Sequence, residues 1–123
     1  RDLAAAGVRP VASAADLAAA RAGVSRVSVA PEVTAYVVDL VRATRTSPSL
    51  RLGVSPRGAV ALIGAARAWA WLSGRDYVSP DDVKALARPA LRHRVSLRPE
   101  AELEGVTADA VLEGILATVP APR

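Results

Sequence analysis

The stretch from Leu52 to Gly74 constrains this chain more than any other. It opens as Leu-Gly-Val-Ser-Pro-Arg-Gly and continues as an Ala-rich apolar run that ends at Gly74. Ser55 is a favourable N-cap, and Pro56 suits the first helical position because the amide hydrogen it lacks would have no acceptor there. A helix therefore starts at this point. Arg57 falls in the first turn, where the helix dipole is positive and a fixed cation costs about 0.3 to 1 kcal/mol. Local stability gives no reason for that arginine. A bound anion would, since amide hydrogens and a guanidinium then converge on it, and phosphate is the obvious candidate. The alternative is a solvated arginine in an arginine-rich chain.

What surrounds this helix must be small. The chain has 123 residues, no Phe, no Cys, two Trp and two Tyr, so one core has to be assembled from Ala, Val, Leu and Ile. Such residues let helices approach closely. Without Cys there are no disulfides and no thiolate metal sites. Fifteen arginines and one lysine, Lys84, stand against 12 acids, for a net charge of +4. That excess favours an anionic partner without specifying nucleic acid. No apolar run reaches the roughly 18 to 20 residues of a membrane span, and Arg-Asp-Leu-Ala-Ala-Ala does not read as a signal peptide. The chain reads as cytoplasmic. It starts without Met and in mid-pattern, as a piece of a longer polypeptide would.

The pattern around the central helix is helical too. Residues 1–12 read as a tail or linker. Ser13 caps a short helix that Gly23 closes. Val27-Ser28-Val29 alternates as a brief extended segment, and Pro31 starts a second helix with Val33, Tyr36, Val37, Leu40, Val41 and Thr44 at the 3.6-residue period. Arg42 and Arg45 suit its negative end, and Pro48 lies beyond it. After a connector through Leu50 and Leu52, the central helix carries Leu62, Ala65, Ala66, Trp69 and Leu72 on one stripe, widened by Val60, Ile63 and Ala70. Trp69 and Trp71 point about 200° apart, which predicts one in the core and one at a rim. Tyr77-Val78 is extended. Ser79-Pro80-Asp81-Asp82 is a second Ser-Pro start, with Asp82 in a variant capping box and acids on the positive helix end. The helix that follows buries Val83, Leu86, Ala87, Ala90 and Leu91, and Pro89 should kink or shorten it. Val95 to Leu97 has the pattern of a short strand. Thr107 caps a last amphipathic helix through Ala108, Val111, Leu112, Ile115, Leu116 and Val119. The expected fold is all-α, a small bundle of four to five helices with very short extended segments near Val27–Val29, Tyr77–Val78 and Val95–Leu97.

The two Ser-Pro starts differ in one respect. The first places Arg57 where the second places Asp81 and Asp82, so the acidic start is satisfied internally and the basic one is open to a ligand. For independent catalysis the inventory is thin. The one histidine, His93, sits between arginines with no Ser or acid at triad spacing. Capping accounts for Asp81 and Asp82. A metal site has no His or Cys cluster to build on. No Gly-x-x-x-x-Gly-Lys-Ser/Thr is present, so any role toward a nucleotide is accessory. The basic cluster Arg88, Arg92, His93, Arg94 and Arg98 could follow a nucleic-acid backbone or pair with acids on a neighbouring domain. Without interleaved aromatics the domain contact is the preferred reading, and a nucleic-acid-binding helical module the alternative.

Four motifs in order resemble the C-terminal lid domain of the MoxR-type AAA+ ATPases. They are Val33 to Arg45 with its Ala-Thr-Arg ending, Leu-Gly-Val-Ser-Pro-Arg-Gly, Gly-Arg-Asp-Tyr-Val-Ser-Pro-Asp-Asp-Val, and Leu-Arg-His-Arg-Val, within Val27 to Leu97. The resemblance implies one lid domain over residues 1–123, with 1–12 as the linker from the ATPase core. It implies that Arg57 is the sensor 2 residue, reaching the terminal phosphate of ATP held by that core, with Ser55, Pro56 and Gly58 forming the helix start. Mg would be supplied through the core. Arg92, His93 and Arg94 would contact another domain or partner. It also implies a hexameric ring of ATPase subunits and chaperone-like maturation of partner complexes, often ones with von Willebrand factor A domains. Walker A, Walker B, sensor 1 and the arginine finger are absent from this sequence, so hydrolysis belongs to the longer protein. Gly58 stands where the family more often has Ala.

Overall fold

The computed structural model describes residues 2–3 and 5–122. Within them the order is α1 (Ala14–Arg26), α2 (Pro31–Thr46), β1 (Leu50–Leu52), α3 (Pro56–Leu72), α4 (Pro80–Leu91), a 3-10 turn (Arg92–Arg94), β2 (Ser96–Leu97), α5 (Pro99–Leu103) and α6 (Ala108–Thr118). The all-α expectation holds, with more helices than the four to five expected. Of the segment expected to be a tail, Arg1 and Ala4 lie outside the described residues, and the rest of it forms no helix or strand.

Helix α2 buries Val33, Tyr36, Val37, Leu40, Val41 and Thr44, the six positions picked out by its periodicity. Helix α3 lies against α1, α2 and α4. Its buried stripe is Gly58, Leu62, Ala66 and Ala70, spaced by four. The broader stripe expected from its sequence is corrected here, because Val60 and Leu72 are 71% and 72% exposed. Both tryptophans lie at the surface, Trp69 at 48% and Trp71 at 38% exposure, so neither belongs to the core. A stripe of small residues brings neighbouring helices so close that no gap of indole size is left on that face. The Trp71 ring instead covers Gly23, where an added Cβ would overlap its indole nitrogen. Gly23 is thus a buried contact inside α1 rather than its terminator, and the helix runs on to Arg26.

Three other features of the pattern need comment, the first two being departures from it. The connector at Leu50–Leu52 is a strand that pairs antiparallel with β2, Leu50 opposite Leu97 and Leu52 opposite Ser96. Pro99–Leu103 is a helix that the sequence reading left unassigned. Pro89 lies inside the last turn of α4, and the helix ends two residues later at Leu91. The other extended segments meet each other: Ser28 bridges to Tyr77, with Ser28 N donating to Asp76 O at 2.8 Å and Val78 N to Ser28 O at 3.0 Å.

Helix α3 stops in a Schellman motif. Gly74 takes φ +75°, Arg75 N donates to Ala70 O and Gly74 N to Trp71 O, both at 2.9 Å. The turn delivers Arg75 to Asp82 at the start of α4. Its guanidinium is bidentate on that carboxylate, at 2.7 and 2.6 Å. The same carboxylate accepts from Ser79 N at 2.8 Å and Ser79 Oγ at 2.9 Å, completing the capping box. Asp82 is 4% exposed. The Arg75 hydrogen bonds hold its carboxyl below the usual range, Ser79 adds to this, and burial opposes it. A depressed carboxyl stabilises the fold above its unfolded value, near about 3.9, and that contribution fades as pH falls through the folded value. Asp82→Asn should lower stability at pH 7 by about 2 to 4 kcal/mol. Urea midpoints of the two proteins should converge between pH 5 and strong acid, as the wild type loses what the variant never had.

Candidate functional site

The start of α3 is held by the end of α2. Thr44, buried at 1% exposure, donates to Val41 O at 2.6 Å and accepts from Val54 N at 2.9 Å. Arg45 Nε donates to Val54 O at 2.9 Å. Arg45 therefore does more than complement its own helix dipole. The two side chains grip both polar groups of one buried residue, and Ser55 follows it directly. Gly53 permits the grip. A Cβ there would lie 2.8 Å from backbone atoms of Thr44 and Arg45, a distance that only glycine avoids.

Beyond this clamp, Ser55, Pro56 and Arg57 are exposed and Gly58 is buried. Ser55 occupies the N-cap, yet its side chain makes no capping hydrogen bond. Ser13, Ser79 and Thr107, the other hydroxyl residues at helix starts, all cap with their side chains. The first turn of α3 contains no acid. Arg57 forms no ion pair or hydrogen bond among the described residues. This donor set fits a phosphate: an exposed helix start, an uncapped first turn and a guanidinium with no partner of its own.

The β1–β2 pairing brings a second sequence motif to the same place. Arg98 N donates to Ser49 O at 2.9 Å, and the 3-10 turn thereby folds back toward α3. The Arg94 stem runs past Gly58, its Cδ 3.4 Å from where a Cβ would sit, while Val54 blocks the other side. Arg94 Nε donates to Ala90 O at 3.1 Å. Gly58 is thus a packing requirement of this arrangement, at a position where the family more often has Ala.

The rest of the basic cluster does not gather there. Arg92 pairs with Asp109 of α6 at 3.2 Å and Arg88 with Glu113 at 3.5 Å. His93 is exposed. Two of the cluster's arginines therefore face acids of their own chain, which leaves a poorer track for a nucleic-acid backbone. No group of acids or histidines suited to a metal occurs among the described residues. No described helix is long and apolar enough to cross a membrane. Sequence reasoning missed Arg75, although its place between Gly74 and the Ser-Pro-Asp-Asp start was a usable signal. It also missed the clamp of Thr44 and Arg45, whose only trace was the polar Thr44 within an apolar stripe.

The family model for the AAA lid domain matches residues 42–115. The chain belongs to the AAA lid domain family, as the order of its helices and the exposed arginine at the start of α3 already suggested. It is a lid of the MoxR type. It is 39% identical to protein MoxR of Paracoccus denitrificans, with 75% of this chain and 31% of that protein covered. It is 37% identical to chaperone MoxR1 of Mycobacterium tuberculosis, with 72% and 26% covered. The uncharacterised protein YeaC of Bacillus subtilis is 43% identical over 94% of this chain and 36% of its own length. A solved structure of a candidate ATPase from Cytophaga hutchinsonii superposes with a TM-score of 0.83 at 31% identity, covering 89% of this chain and 36% of that one. The chain spans about a third of the length of the relatives it matches.

The clamp can be tested apart from any activity. Thr44→Val keeps the shape of the side chain and removes the acceptor for Val54 N–H, which should cost about 1 to 3 kcal/mol. Thr44→Ser should retain most of the stability. Equilibrium urea denaturation of the three proteins separates these outcomes, and a valine variant as stable as the wild type would refute the clamp.

Proposed function

We propose that this lid serves an ATPase by bringing Arg57, as its sensor 2 residue, to the terminal phosphate of ATP held by the core domain of the same polypeptide. Ser55, Pro56 and Gly58 shape the helix start from which it reaches, and residues 1–12 lead in from that core. One observation carries the reading: Arg57 is an exposed guanidinium without a partner among the described residues, on a helix start whose serine makes no side-chain capping bond. ATP and Mg would be bound chiefly by the core, which supplies the phosphate-binding loop this sequence lacks. The lid's share is electrostatic, stabilising charge on the phosphate through one charge-assisted hydrogen bond.

Relatives carrying the name MoxR, one of them called a chaperone, support placing this ATPase among those that remodel other proteins. In that reading the subunits form a cytoplasmic hexameric ring and act on partner complexes with von Willebrand factor A domains. Arg92, His93 and Arg94 lie at the rim between the lid and another domain, with Arg94 nearest the nucleotide.

In the full-length protein, Arg57→Ala should lower ATP hydrolysis about 10- to 100-fold, the equivalent of one hydrogen bond of roughly 1.5 to 3 kcal/mol to a charged group. The same change should leave thermal stability unaltered or slightly raised, because it removes a cation from the positive helix end. Steady-state hydrolysis and a thermal melt of one preparation test both. Unchanged hydrolysis would remove the assignment.

A further inference from the structure

Arg94 is placed differently from its neighbours in the basic segment after α4. Arg88 and Arg92 pair with Glu113 and Asp109 of α6. Arg94 is half-buried, has no ion pair among the described residues, and lies with its Cδ against Gly58, the residue next to Arg57. Its Nε donates to Ala90 O at 3.1 Å, a carbonyl in the last turn of α4, where the helix dipole favours a cation. That bond uses one of the five guanidinium donors. The other four, on the terminal nitrogens, have no partner among the described residues and are open to solvent, since no atom of Arg94 is enclosed without a partner. The turn that carries Arg94 is itself fixed. Arg92 ties it to α6, and Arg98 N ties the strand beyond it to Ser49 O at 2.9 Å. Gly58 makes the space, because a Cβ there would overlap Val54 and press on the Arg94 stem. Capping of α4 explains the Nε bond. It does not explain why one cation is brought beside another, Arg57, on a helix start whose first turn holds no acid.

We propose that Arg94 is a second phosphate ligand, which joins Arg57 on the terminal phosphate of the nucleotide and makes the lid selective for a nucleoside triphosphate over a diphosphate. This rests on the reading of Arg57 given above. A terminal phosphoryl group carries about two negative charges and three acceptor oxygens, enough for two guanidinium groups at once, which otherwise repel each other. In a diphosphate that group is missing from the position both side chains reach. The bond from Nε to Ala90 O holds the fork of Arg94 in place beforehand, so little side-chain freedom is lost when the phosphate arrives.

The test uses the full-length protein with two variants that remove the charge. Arg94→Met keeps an unbranched stem against Gly58, and Arg94→Gln keeps an N–H donor for Ala90 O. Arg21→Met, at an exposed position of α1, controls for net charge. Calorimetric titration with ADP and with the non-hydrolysable ATP analogue adenylyl imidodiphosphate gives an affinity ratio for each protein, and a thermal melt shows which variants fold. The triphosphate-to-diphosphate ratio should fall at least about fivefold in whichever Arg94 variants fold, as expected for losing one hydrogen bond to a charged group, and by less than about twofold in Arg21→Met. A fall of less than about fivefold overturns the proposal. Equal weakening of both nucleotides, or a lower melting temperature with an unchanged ratio, has the same result and assigns Arg94 to capping α4. Arg57→Ala is titrated alongside. If it leaves the ratio intact while the Arg94 variants lower it, the sensor reading fails and Arg94 stays a phosphate ligand; the opposite pattern keeps the sensor and removes the second ligand.

Discussion

Everything at the candidate site depends on the backbone of Val54 being gripped from both sides. Its N–H goes to Thr44 Oγ1 and its C=O takes a hydrogen bond from Arg45 Nε, so the residue before the Ser-Pro turn is fixed to the last turn of α2. A loop held by side-chain hydrogen bonds to a buried backbone has little freedom left, because losing either would strand a buried polar group. Helix α3 therefore starts at a fixed height and angle relative to α2. At its far end the Schellman turn and the Arg75–Asp82 pair fix it to α4 in the same way. The central helix is pinned at both termini, and Arg57 projects from a rigid body instead of from a loop.

How much of this could be read in the sequence follows from which interactions are local. The six buried positions of α2, the caps at Ser13, Ser79 and Thr107 and the termination at Gly74 all depend on residues within a turn of one another, and periodicity with capping chemistry locates them. What escaped depends on contacts distant in the chain. The strand at Leu50–Leu52 exists because Ser96 and Leu97 come alongside it, and three residues carry no period of their own. The exposure of Trp69 and Trp71 follows from how closely α4 and α2 approach the small stripe of α3, a quantity no single helix encodes. Gly23 was misjudged for the same reason, and the need for Gly58 was hidden by it: a Cβ at either would meet a side chain, Trp71 in one case and Val54 in the other. At the site, Arg57 was legible because its conflict with the helix dipole is local. Its support by Thr44 and Arg45 and the approach of Arg94 were not.

The comparison between the two Ser-Pro starts bears on function. At α4, Ser79 caps, Asp82 returns the bond and Arg75 closes the arrangement from the turn after α3, so the buried carboxylate and its guanidinium are both paired. At α3 the serine is in the same position relative to the proline, yet its hydroxyl makes no capping bond, no acid follows, and an arginine stands in the first turn. The chain can build a satisfied helix start and does so 24 residues later. A start that departs from this in three respects at once, on a helix otherwise anchored at both ends, is a localised exception of the kind that marks a site.

The energetics of that exception favour a ligand of high negative charge. An absent side-chain cap leaves about 1 kcal/mol unrealised, and a cation in the first turn adds a penalty of about 0.3 to 1 kcal/mol. Both reverse when an anion arrives, since the Arg57 amide then has an acceptor and the guanidinium an opposite charge, Gly58 N already donating to Ser55 O at 2.8 Å. The gain from the ligand is therefore larger than the hydrogen bond to Arg57 alone, and it is realised only when the lid lies close enough for both donors to meet the same oxygens. On the proposed assignment of Arg57, a lid arranged in this way would be held loosely over an empty partner and tightly over one that carries phosphate. Because α3 is fixed to α2 and α4, such a change would reach the whole lid as a rigid displacement.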